Sequence, residues 1–392
     1  MQRTAIDERP NWKETVESQG FPFHTAGVRP DGDITSGTYW NERVYYELTS
    51  AQVDELEDAT NELHARCLDA VGHMCANPDL LRKLAIPEAF HAYIIESWKR
   101  RDPSIYGRFD LAYDGKSPPK LLEYNGDTPT TLIETSVIQW HWLEDRFRGK
   151  PAADQFNSVH EKLIEAWKNL STKMSKGTPL YFAAIKDNVE EYATVEYLRD
   201  TAHQAGLKTE FIYLQDLGWD SARKVFVGND GQPINYCFKL YPWEWMFQEE
   251  FGQHLLTAAC DTGFIEPPWK AVLSNKGILP ILWELFPEHP NLLPAFWQED
   301  PRLGDSYIVK PIMGREGANM RIVSPGADAA TDGDYGDQPM IYQKLASLGI
   351  RDGNHISIGS WVVAGEAAGI CVREDTSKII VDKSPLVPHI FR

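Results

Sequence analysis

The sequence predicts a mixed α/β fold with a β-hairpin early in the chain, an α/β unit in its middle and a group of strands near its end. Residues 105–125 alternate polar and apolar side chains on either side of turn residues, which is typical of a hairpin. Residues 178–240 contain a strand pattern, a helix pattern ending in glycine and a second strand pattern. A chain of 392 residues can hold these units as two or three domains.

The composition argues against several classes of protein. The formal net charge is −18, which disfavours nucleic acid and anionic membranes as partners and favours a cationic partner such as a polyamine. No apolar run is long enough for a signal peptide or a transmembrane helix. We therefore expect a cytoplasmic protein. The five cysteines are dispersed without a CxxC pair, as expected of thiols in a reducing compartment, and they are Cys67, Cys75, Cys237, Cys260 and Cys371.

Residues 49–74 predict a long scaffold helix. Thr49 and Gln52 have the spacing of a capping box at its start. Apolar residues then recur at helical spacing, and the acidic residues lie mostly on the other face. No heptad pattern stands out elsewhere, so the oligomeric state is left open.

The predicted hairpin collects polar groups on one face. Because side chains alternate along a strand, Arg108 and Asp110 share a face, and so do Glu123 and Asn125. A turn near residues 116–117 places Asp110 opposite Glu123 and Arg108 opposite Asn125. A solvated hairpin with cross-strand ion pairs is the alternative that these residues leave open.

Two features favour a functional site on this hairpin. Its opposite face is apolar and would anchor it, and its second strand ends in a polar loop that contains Thr128, Thr130 and Thr131. Carboxylate and amide oxygens are ligands that Mg²⁺ accepts. ATP carries about four negative charges, and each acid about 4 Å from one of them would be repelled by roughly 4 kcal/mol at an effective dielectric near 20. Such a face could hold ATP only with cations in between.

Residues 306–323 predict a second hairpin with glycines in its turn. The first strand ends in Lys310, which can reach phosphates as a point charge. Glycines let backbone N–H groups close over phosphates. An ordinary turn with one buried lysine stem is the alternative. The loop consists of Gly314, Arg315, Glu316 and Gly317.

Two further elements are candidates for the nucleotide site, and a third is a predicted loop. Lys276 lies in an apolar segment, where a lysine that snorkels to the surface is the alternative. The strand that contains Gln343 and Lys344 could present backbone atoms to an adenine edge. Residues 324–338 predict a flexible loop.

Arg373 follows two strands that turn at Gly365. Near a transferred phosphoryl group its guanidinium would stabilise transition-state charge. A surface ion pair with Glu374 or Asp375 is the alternative.

Several ordered motifs together resemble the glutathionylspermidine synthase-like ligases, which belong to the ATP-grasp class. The likeness covers nearly the whole chain. It implies a stand-alone ligase without the amidase domain of the bifunctional members. The motifs are RFD at 108–110, EYN at 123–125, SNKGILPIL at 274–282, KPIMGREG at 310–317 and CVREDTS at 371–377.

The resemblance implies an ATP-grasp fold in three parts. Residues 1–150 would hold N-terminal helices and a metal-binding hairpin. Residues 151–267 would form an α/β substrate subdomain, and residues 268–392 would bind the nucleotide.

The resemblance also implies roles for individual residues. The metal set for two Mg²⁺ ions would be Asp110, Glu123 and Asn125. The groups that contact ATP would be Lys276, Lys310 and the loop 314–317. Arg108 and Arg373 would bind the transferred phosphate.

Family members bind a peptide through a polar loop after the metal strand and through an acidic pair further on. Here these places hold Thr128 and Thr130, and Glu190 and Glu191. The bifunctional enzymes carry serines and a cysteine in the first loop, so the identity of the acid, including glutathione, is left open. The spacing of Asn188 and Glu191 also fits a helix cap, which we favour for Glu191.

We therefore predict an ATP-dependent ligase that joins a small-molecule carboxylic acid to an amine through an acyl phosphate. The loop 314–317 would close over the site and exclude water. A non-catalytic ATP-binding regulator and a phosphotransferase are the alternatives.

Overall fold

The computed structural model describes residues 1–25, 39–149, 153–175, 177–257, 262–326, 328–381 and 383–392. The α-helices in these ranges are α1 (Trp12–Ser18), α2 (Ser50–Ala76), α3 (Pro78–Lys83), α4 (His91–Arg100), α5 (Gln139–Phe147), α6 (Val159–Ser171), α7 (Val189–Gln204), α8 (Trp243–Met246) and α9 (Ile278–Leu285). The strands are β1 (Gln2–Ala5), β2 (Val44–Leu48), β3 (Tyr106–Ala112), β4 (Lys120–Asn125), β5 (Leu180–Ala184), β6 (Thr209–Tyr213), β7 (Gly218–Asp220), β8 (Val225–Val227), β9 (Tyr236–Lys239), β10 (Gly263–Ile265), β11 (Ala295–Phe296), β12 (Tyr307–Pro311), β13 (Arg321–Val323), β14 (Ala329–Ala330), β15 (Met340–Lys344), β16 (Gly349–Arg351), β17 (Asn354–Val363), β18 (Glu366–Asp375), β19 (Leu386–Val387) and β20 (His389–Phe391).

An antiparallel sheet combines strands from the first third and the last part of the chain. Its strand order is β19-β18-β17-β3-β4, and β16 also pairs with β17. The early hairpin therefore continues directly into the late strands. A second, five-stranded sheet has the order β11-β15-β12-β13-β14 and carries the glycine loop between β12 and β13.

The register of the early hairpin confirms the prediction from side-chain alternation. Arg108 pairs with Asn125 and Asp110 pairs with Glu123 across β3 and β4. A bulge follows Asp110, so the pairing shifts on the turn side of the polar face. On the opposite face, Phe109 and Tyr124 stack at 3.9 Å between ring centroids, which anchors the hairpin in the core.

The middle of the chain forms the predicted α/β unit. Strands β5 and β6 are parallel and are joined through α7. They extend into a parallel sheet with the order β10-β9-β5-β6. Buried aromatic side chains such as Trp167 and Phe182 fill the space beneath this sheet.

The predicted scaffold helix is α2. Its N-cap Thr49 accepts a hydrogen bond from the backbone N–H of Gln52, and the Gln52 side chain accepts one from the N–H of Thr49. This is the capping box predicted from the sequence. The buried face of α2 packs against β17, β18 and α9, so it supports the back of the antiparallel sheet.

The predicted loop at 324–338 needs a correction, because it contains the short strand β14. This strand pairs with β13, since two extended segments that lie side by side satisfy each other's backbone groups. The cysteines Cys67, Cys75, Cys237 and Cys371 are buried free thiols, as expected, and Cys260 lies outside the described residues. None of the described helices is both long and apolar enough to cross a membrane.

Candidate active site

A cavity of about 370 Å³ lies between the antiparallel sheet and the sheet that carries the glycine loop. Most of the side chains singled out in the sequence line it, although they come from distant parts of the chain. The predicted site residues that line the cavity are Arg108, Asp110, Glu123, Asn125, Thr128, Thr130, Lys310, Arg315, Glu316, Gly317, Gln343, Lys344 and Arg373. Lys276 and Gly314 lie directly behind these residues, and their contacts are given below.

The two carboxylates of the hairpin are each paired with a different cation. Arg108 donates to both oxygens of Asp110, at 2.8 and 3.1 Å. Lys276 lies 2.9 Å from Glu123, and Asn125 donates to Asp110 at 3.2 Å and to Glu123 at 3.3 Å. The alternative of cross-strand ion pairs is therefore wrong for these two acids. Lys276 is also buried and does not snorkel to the surface.

Burial and neighbouring charges shift the pKa values of these groups in different directions. Burial raises the pKa of Asp110; Glu123 adds to the rise and Arg108 opposes it. Burial would also raise the pKa of Glu123, but Lys276 and Lys310 hold that pKa well below its usual range. Burial lowers the pKa of Lys310 to about 8 although Glu123 opposes this shift. The pKa values of the two acids are therefore shifted in opposite directions.

The donor set of this face fits a hard divalent cation. Two carboxylates and one amide converge on the cavity, and Mg²⁺ is usually held by one or two carboxylates together with substrate phosphates and water. A half-turn of the Asn125 amide would aim its oxygen where its nitrogen now points. Among the described residues, no group of three or more His, Cys, Asp or Glu side chains is placed to hold a metal ion.

A hydrogen-bonded chain from the hairpin to β15 orients Lys310. Its ammonium donates to the side-chain oxygen of Gln343 at 2.9 Å and to the carbonyl of Leu122 at 3.0 Å. The Gln343 amide nitrogen donates to the carbonyl of Leu121 at 3.0 Å. The Gln343 side chain thus holds Lys310 between the two sheets, a role that we did not predict. The backbone N–H of Lys344 donates to the carbonyl of Pro294 at 2.8 Å, so this N–H is already engaged and does not serve the predicted contact to adenine.

The glycine loop lies over the cavity and contacts three separate segments. The Gly314 carbonyl accepts from Lys276 at 2.5 Å. Arg315 donates to Glu244 at 3.1 Å and to Thr128 at 3.0 Å, and its guanidinium lies 5.5 Å from the Trp245 ring centroid.

Glycine is required in this loop for two different reasons. A Cβ at Gly314 would lie 2.4 Å from the ring of Pro311, and Gly317 has a φ of +75°. The loop therefore depends on glycine for its close approach to β12 and for its left-handed turn.

Arg108 and Arg373 both line the cavity, from adjacent regions of the antiparallel sheet. Arg108 donates to the carbonyl of Thr130 at 2.6 Å and to the hydroxyl of Thr131 at 3.2 Å. Arg373 lies opposite Ser357 in the pairing of β17 with β18.

Arg373 donates hydrogen bonds to oxygens of three residues in the described part of the chain. They are the carbonyl of Val381 at 3.2 Å, the carbonyl of Ser384 at 3.1 Å and the hydroxyl of Tyr39 at 3.3 Å. Glu374, one of the two partners considered in the alternative, instead pairs with Arg3 at 2.8 Å.

Glu190 and Glu191 are not among the residues that line the cavity. They lie in the first turn of α7, where Asn188 accepts from the N–H of Glu191 at 3.0 Å, so the predicted cap is present. Burial raises the pKa of Glu191 to about 7, and Arg315 opposes this rise. Glu191 is thus electrostatically coupled to the glycine loop although it lies outside the cavity.

Sequence patterns did not indicate several groups that lie in or next to the site, namely Tyr39, Asp127, Lys239, Glu244 and the Gln343 side chain. Lys239 and Asp127 form a fully buried ion pair at 2.8 Å that ties the loop after β4 to the α/β unit. The only sequence signal for Asp127 was its place directly after the strand. No local pattern could have indicated Lys239 or Glu244.

Comparison with known proteins gives one consistent result. The family model described as "Glutathionylspermidine synthase preATP-grasp" matches residues 3–392. A Haemophilus influenzae protein described as an acid–amine ligase is 39% identical over 99% of this chain and 98% of its own. The bifunctional glutathionylspermidine synthetase/amidase of Escherichia coli is 31% identical over 94% of this chain, which spans 62% of that longer enzyme.

Two further matches come from eukaryotes. The trypanothione synthetase of Crithidia fasciculata is 30% identical over 83% of this chain and 53% of its own length. Among solved structures, a glutathione synthetase-like effector from Globodera pallida matches with a TM-score of 0.55 and 11% identity, covering 99% of this chain and all of its own. At this identity the structural likeness indicates a shared fold and nothing about substrates.

Proposed function

The chain belongs to the glutathionylspermidine synthase family, and we propose that it joins a peptide-like carboxylic acid to an amine through an acyl phosphate formed from ATP. The observation that carries the proposal is one cavity that brings together an acidic hairpin face, Lys310, the glycine loop and two arginines. These are the charges that phosphoryl transfer requires: cations for the phosphates and carboxylates for a metal ion. We infer an ATP-grasp arrangement from this geometry and from the family.

The cavity offers separate regions for the base and the phosphates of ATP. Apolar side chains of Ile308, Met320, Leu345 and Ile379 line one part and suit an adenine ring. The charged part contains Lys310, with Lys276 behind it. The bound nucleotide would thus lie between β12 and β15 on one side and the hairpin on the other.

Asp110, Glu123 and Asn125 would hold Mg²⁺, as their donor chemistry allows. Bound there, the metal ion would supply positive charge that offsets the repulsion between the phosphates and the two carboxylates. Because Lys276 pairs with Glu123 in the structure, its ammonium would be shared between this carboxylate and the nucleotide.

In the first step a carboxylate oxygen of the acid would form a bond to the γ-phosphorus while the bond from that phosphorus to the bridging oxygen of ADP breaks. Arg108 and Arg373 would stabilise the charge on the transferred group. In the second step the amine nitrogen would attack the acyl carbon, inorganic phosphate would leave, and the amine would lose a proton. No protein nucleophile is needed.

The loops around the cavity would protect the acyl phosphate from water. The Thr331 hydroxyl donates to the carbonyl of Gly317 at 2.5 Å, and the backbone N–H of Tyr335 donates to the side chain of Asn319 at 2.7 Å. The segment 324–338 is therefore tied to the glycine loop. We propose that both move together when the site closes.

The substrates are proposed from the chemistry of the flanking residues and from the relatives. Thr128 and Thr130 line the cavity next to the hairpin and would contact the acid. Glu190 and Glu191 lie at the α/β unit and would attract a cationic amine. Relatives named for glutathionylspermidine and trypanothione make glutathione and spermidine the first pair to test.

Mass spectrometry of a reaction with Mg-ATP, glutathione and spermidine tests this function. We expect ADP together with a product lighter by one water than the sum of the acid and the amine. A stable phosphorylated acid that forms without amine would favour the phosphotransferase. Bound ATP without ADP, across a panel of peptides and polyamines, would favour the non-catalytic regulator.

A further inference from the structure

A hydrogen-bonded chain of two buried side chains, neither of which lines the cavity, leads away from Arg373. Arg373 donates to the Tyr39 hydroxyl at 3.3 Å, and this hydroxyl donates to the Glu134 carboxylate at 2.8 Å. The Arg373 guanidinium also lies 5.5 Å from the centroid of the Tyr39 ring. Tyr39 is 4% exposed and Glu134 is 2% exposed, so the chain is shielded from water.

The direction of these hydrogen bonds determines how Arg373 is held. A phenol has one O–H, and Glu134 takes it as an acceptor. The lone pairs of the Tyr39 oxygen can then accept from Arg373. Because the final acceptor is a carboxylate, the hydrogen bonds are charge-assisted and fix one orientation of the ring and of the guanidinium.

Glu134 is also close in sequence to the residues that hold Arg108. It begins a π-helical turn, Glu134–Ile138, three residues after Thr131, and Thr130 and Thr131 accept hydrogen bonds from Arg108. Thr131 is β-branched and has a φ of +73°, a strained conformation for such a residue. One short segment therefore contacts Arg108 directly and Arg373 through Tyr39.

We propose that Tyr39 and Glu134 are positioning residues that hold Arg373 in the orientation required by the transferred phosphoryl group. This rests on the proposed function, in which Arg373 acts on that group. Neither residue lines the cavity, so both act through Arg373 and not on the substrates. The segment 130–134 then sets the spacing between the two arginines.

The test is a double-mutant cycle between Tyr39 and Arg373 in the full-length protein. Tyr39→Phe keeps the ring and its packing against Phe21 but removes the hydroxyl. We expect kcat for ADP release with Mg-ATP, glutathione and spermidine to fall about tenfold or more, with the KM for ATP changed less than about twofold. In the Arg373→Ala background the same substitution should have no further effect on kcat.

Glu134→Gln keeps an acceptor for the Tyr39 hydroxyl but removes the charge, so it should lower kcat by less than Tyr39→Phe, and adding it to Tyr39→Phe should change kcat little. Tyr45→Phe, another buried tyrosine of the same aromatic cluster, is the matched control and should leave kcat unchanged. A kcat loss from Tyr39→Phe that is equally large with and without Arg373 would overturn the proposal, as would no loss at all.

Binding measurements separate this proposal from the proposed function. If the wild-type protein releases no ADP with any acid and amine, the proposed function fails. In that case the affinities for a non-hydrolysable ATP analogue and for ADP are measured in the same set of variants, and the ratio of the two affinities replaces kcat in the cycle. If the ratio is the same in the wild type, Tyr39→Phe and Arg373→Ala, the positioning role is overturned as well. If Tyr39→Phe and Arg373→Ala both lose the preference for the ATP analogue, the positioning role is supported.

Discussion

Asp110 and Glu123 lie opposite each other across the hairpin, yet their cationic partners have different origins. One partner belongs to the hairpin itself and the other comes from a distant segment. Arg108, two residues away in the same strand, pairs with Asp110 at 2.8 Å, whereas Lys276, from a distant segment, pairs with Glu123 at 2.9 Å. The two acids thus have opposite pKa shifts within one site. This asymmetry leads to the first prediction.

Glu123→Gln should abolish Mg²⁺-dependent turnover, because it removes from the proposed metal set a carboxylate whose pKa Lys276 and Lys310 hold below its usual range. We expect at least about a hundredfold loss of kcat. The fold should survive, since the substitution keeps the size of a side chain that is 21% exposed towards the cavity. Steady-state kinetics and circular dichroism check both parts, and turnover at the wild-type rate would contradict the metal assignment.

Arg373→Ala should lower kcat more than it weakens ATP binding, because its guanidinium is proposed to contact the group that moves and not the bound nucleotide as a whole. We expect a loss of kcat of about a hundredfold or more. Calorimetric titration with ATP gives the affinity separately. A loss confined to affinity would place Arg373 away from the reacting phosphate.

The activity should depend on the protonation of Lys310, whose pKa is lowered to about 8 by burial. The pKa of Lys310 in the folded protein lies below the ordinary lysine value of 10.5. Burial of the charged ammonium therefore lowers the free energy of unfolding below pH 8, and this loss becomes smaller as the pH rises from 8 towards 10.5. Phosphate binding needs the charged form. We therefore expect kcat/KM for ATP to fall above pH 8.

Lys310→Arg is the matched control for this pH profile, because a guanidinium stays charged throughout the range. The variant should bind ATP without the decline above pH 8, although its geometry differs. An identical decline in Lys310→Arg would assign the titration to another group.

Trypsin cleavage after Arg315 should report on the glycine loop, because Glu244 and Thr128 hold the guanidinium in place. Glu244→Gln should increase the rate of this cut several-fold, and Mg-ATP should slow it in the wild-type protein. The exposed Arg148, which does not line the cavity, is an internal control whose cleavage should not change. Absence of protection by Mg-ATP would argue against a closing loop.

The buried pair of Lys239 and Asp127 should matter for stability far more than a surface pair. Both side chains are fully buried, so Lys239→Ala leaves an unpaired carboxylate in the interior and should lower the free energy of unfolding by about 3–5 kcal/mol. Lys186→Ala, which removes a partly exposed pair with Asp216, should cost about 0–1 kcal/mol. Denaturant unfolding measures both, and similar losses for the two variants would show that the buried pair has no special role.

The amino-acid sequence by itself determined the elements whose patterns are local. Alternation along two strands and the turn between them were enough to predict that Asp110 faces Glu123, because side chains of a strand repeat every two residues. The capping box of α2 and the strand–helix–strand order of the middle unit were predictable for the same reason. The ordered motifs were also sufficient to identify the family.

Only the tertiary structure decided which distant side chains meet. The pairing of Lys276 with Glu123, of Glu244 with Arg315 and of Tyr39 with Glu134 joins residues that are far apart in the chain. Such contacts depend on how sheets and helices pack, and no local repeat in the sequence records that packing. Backbone periodicity therefore predicted which residues share a face, whereas the packing of the sheets determined which partner each of those faces meets.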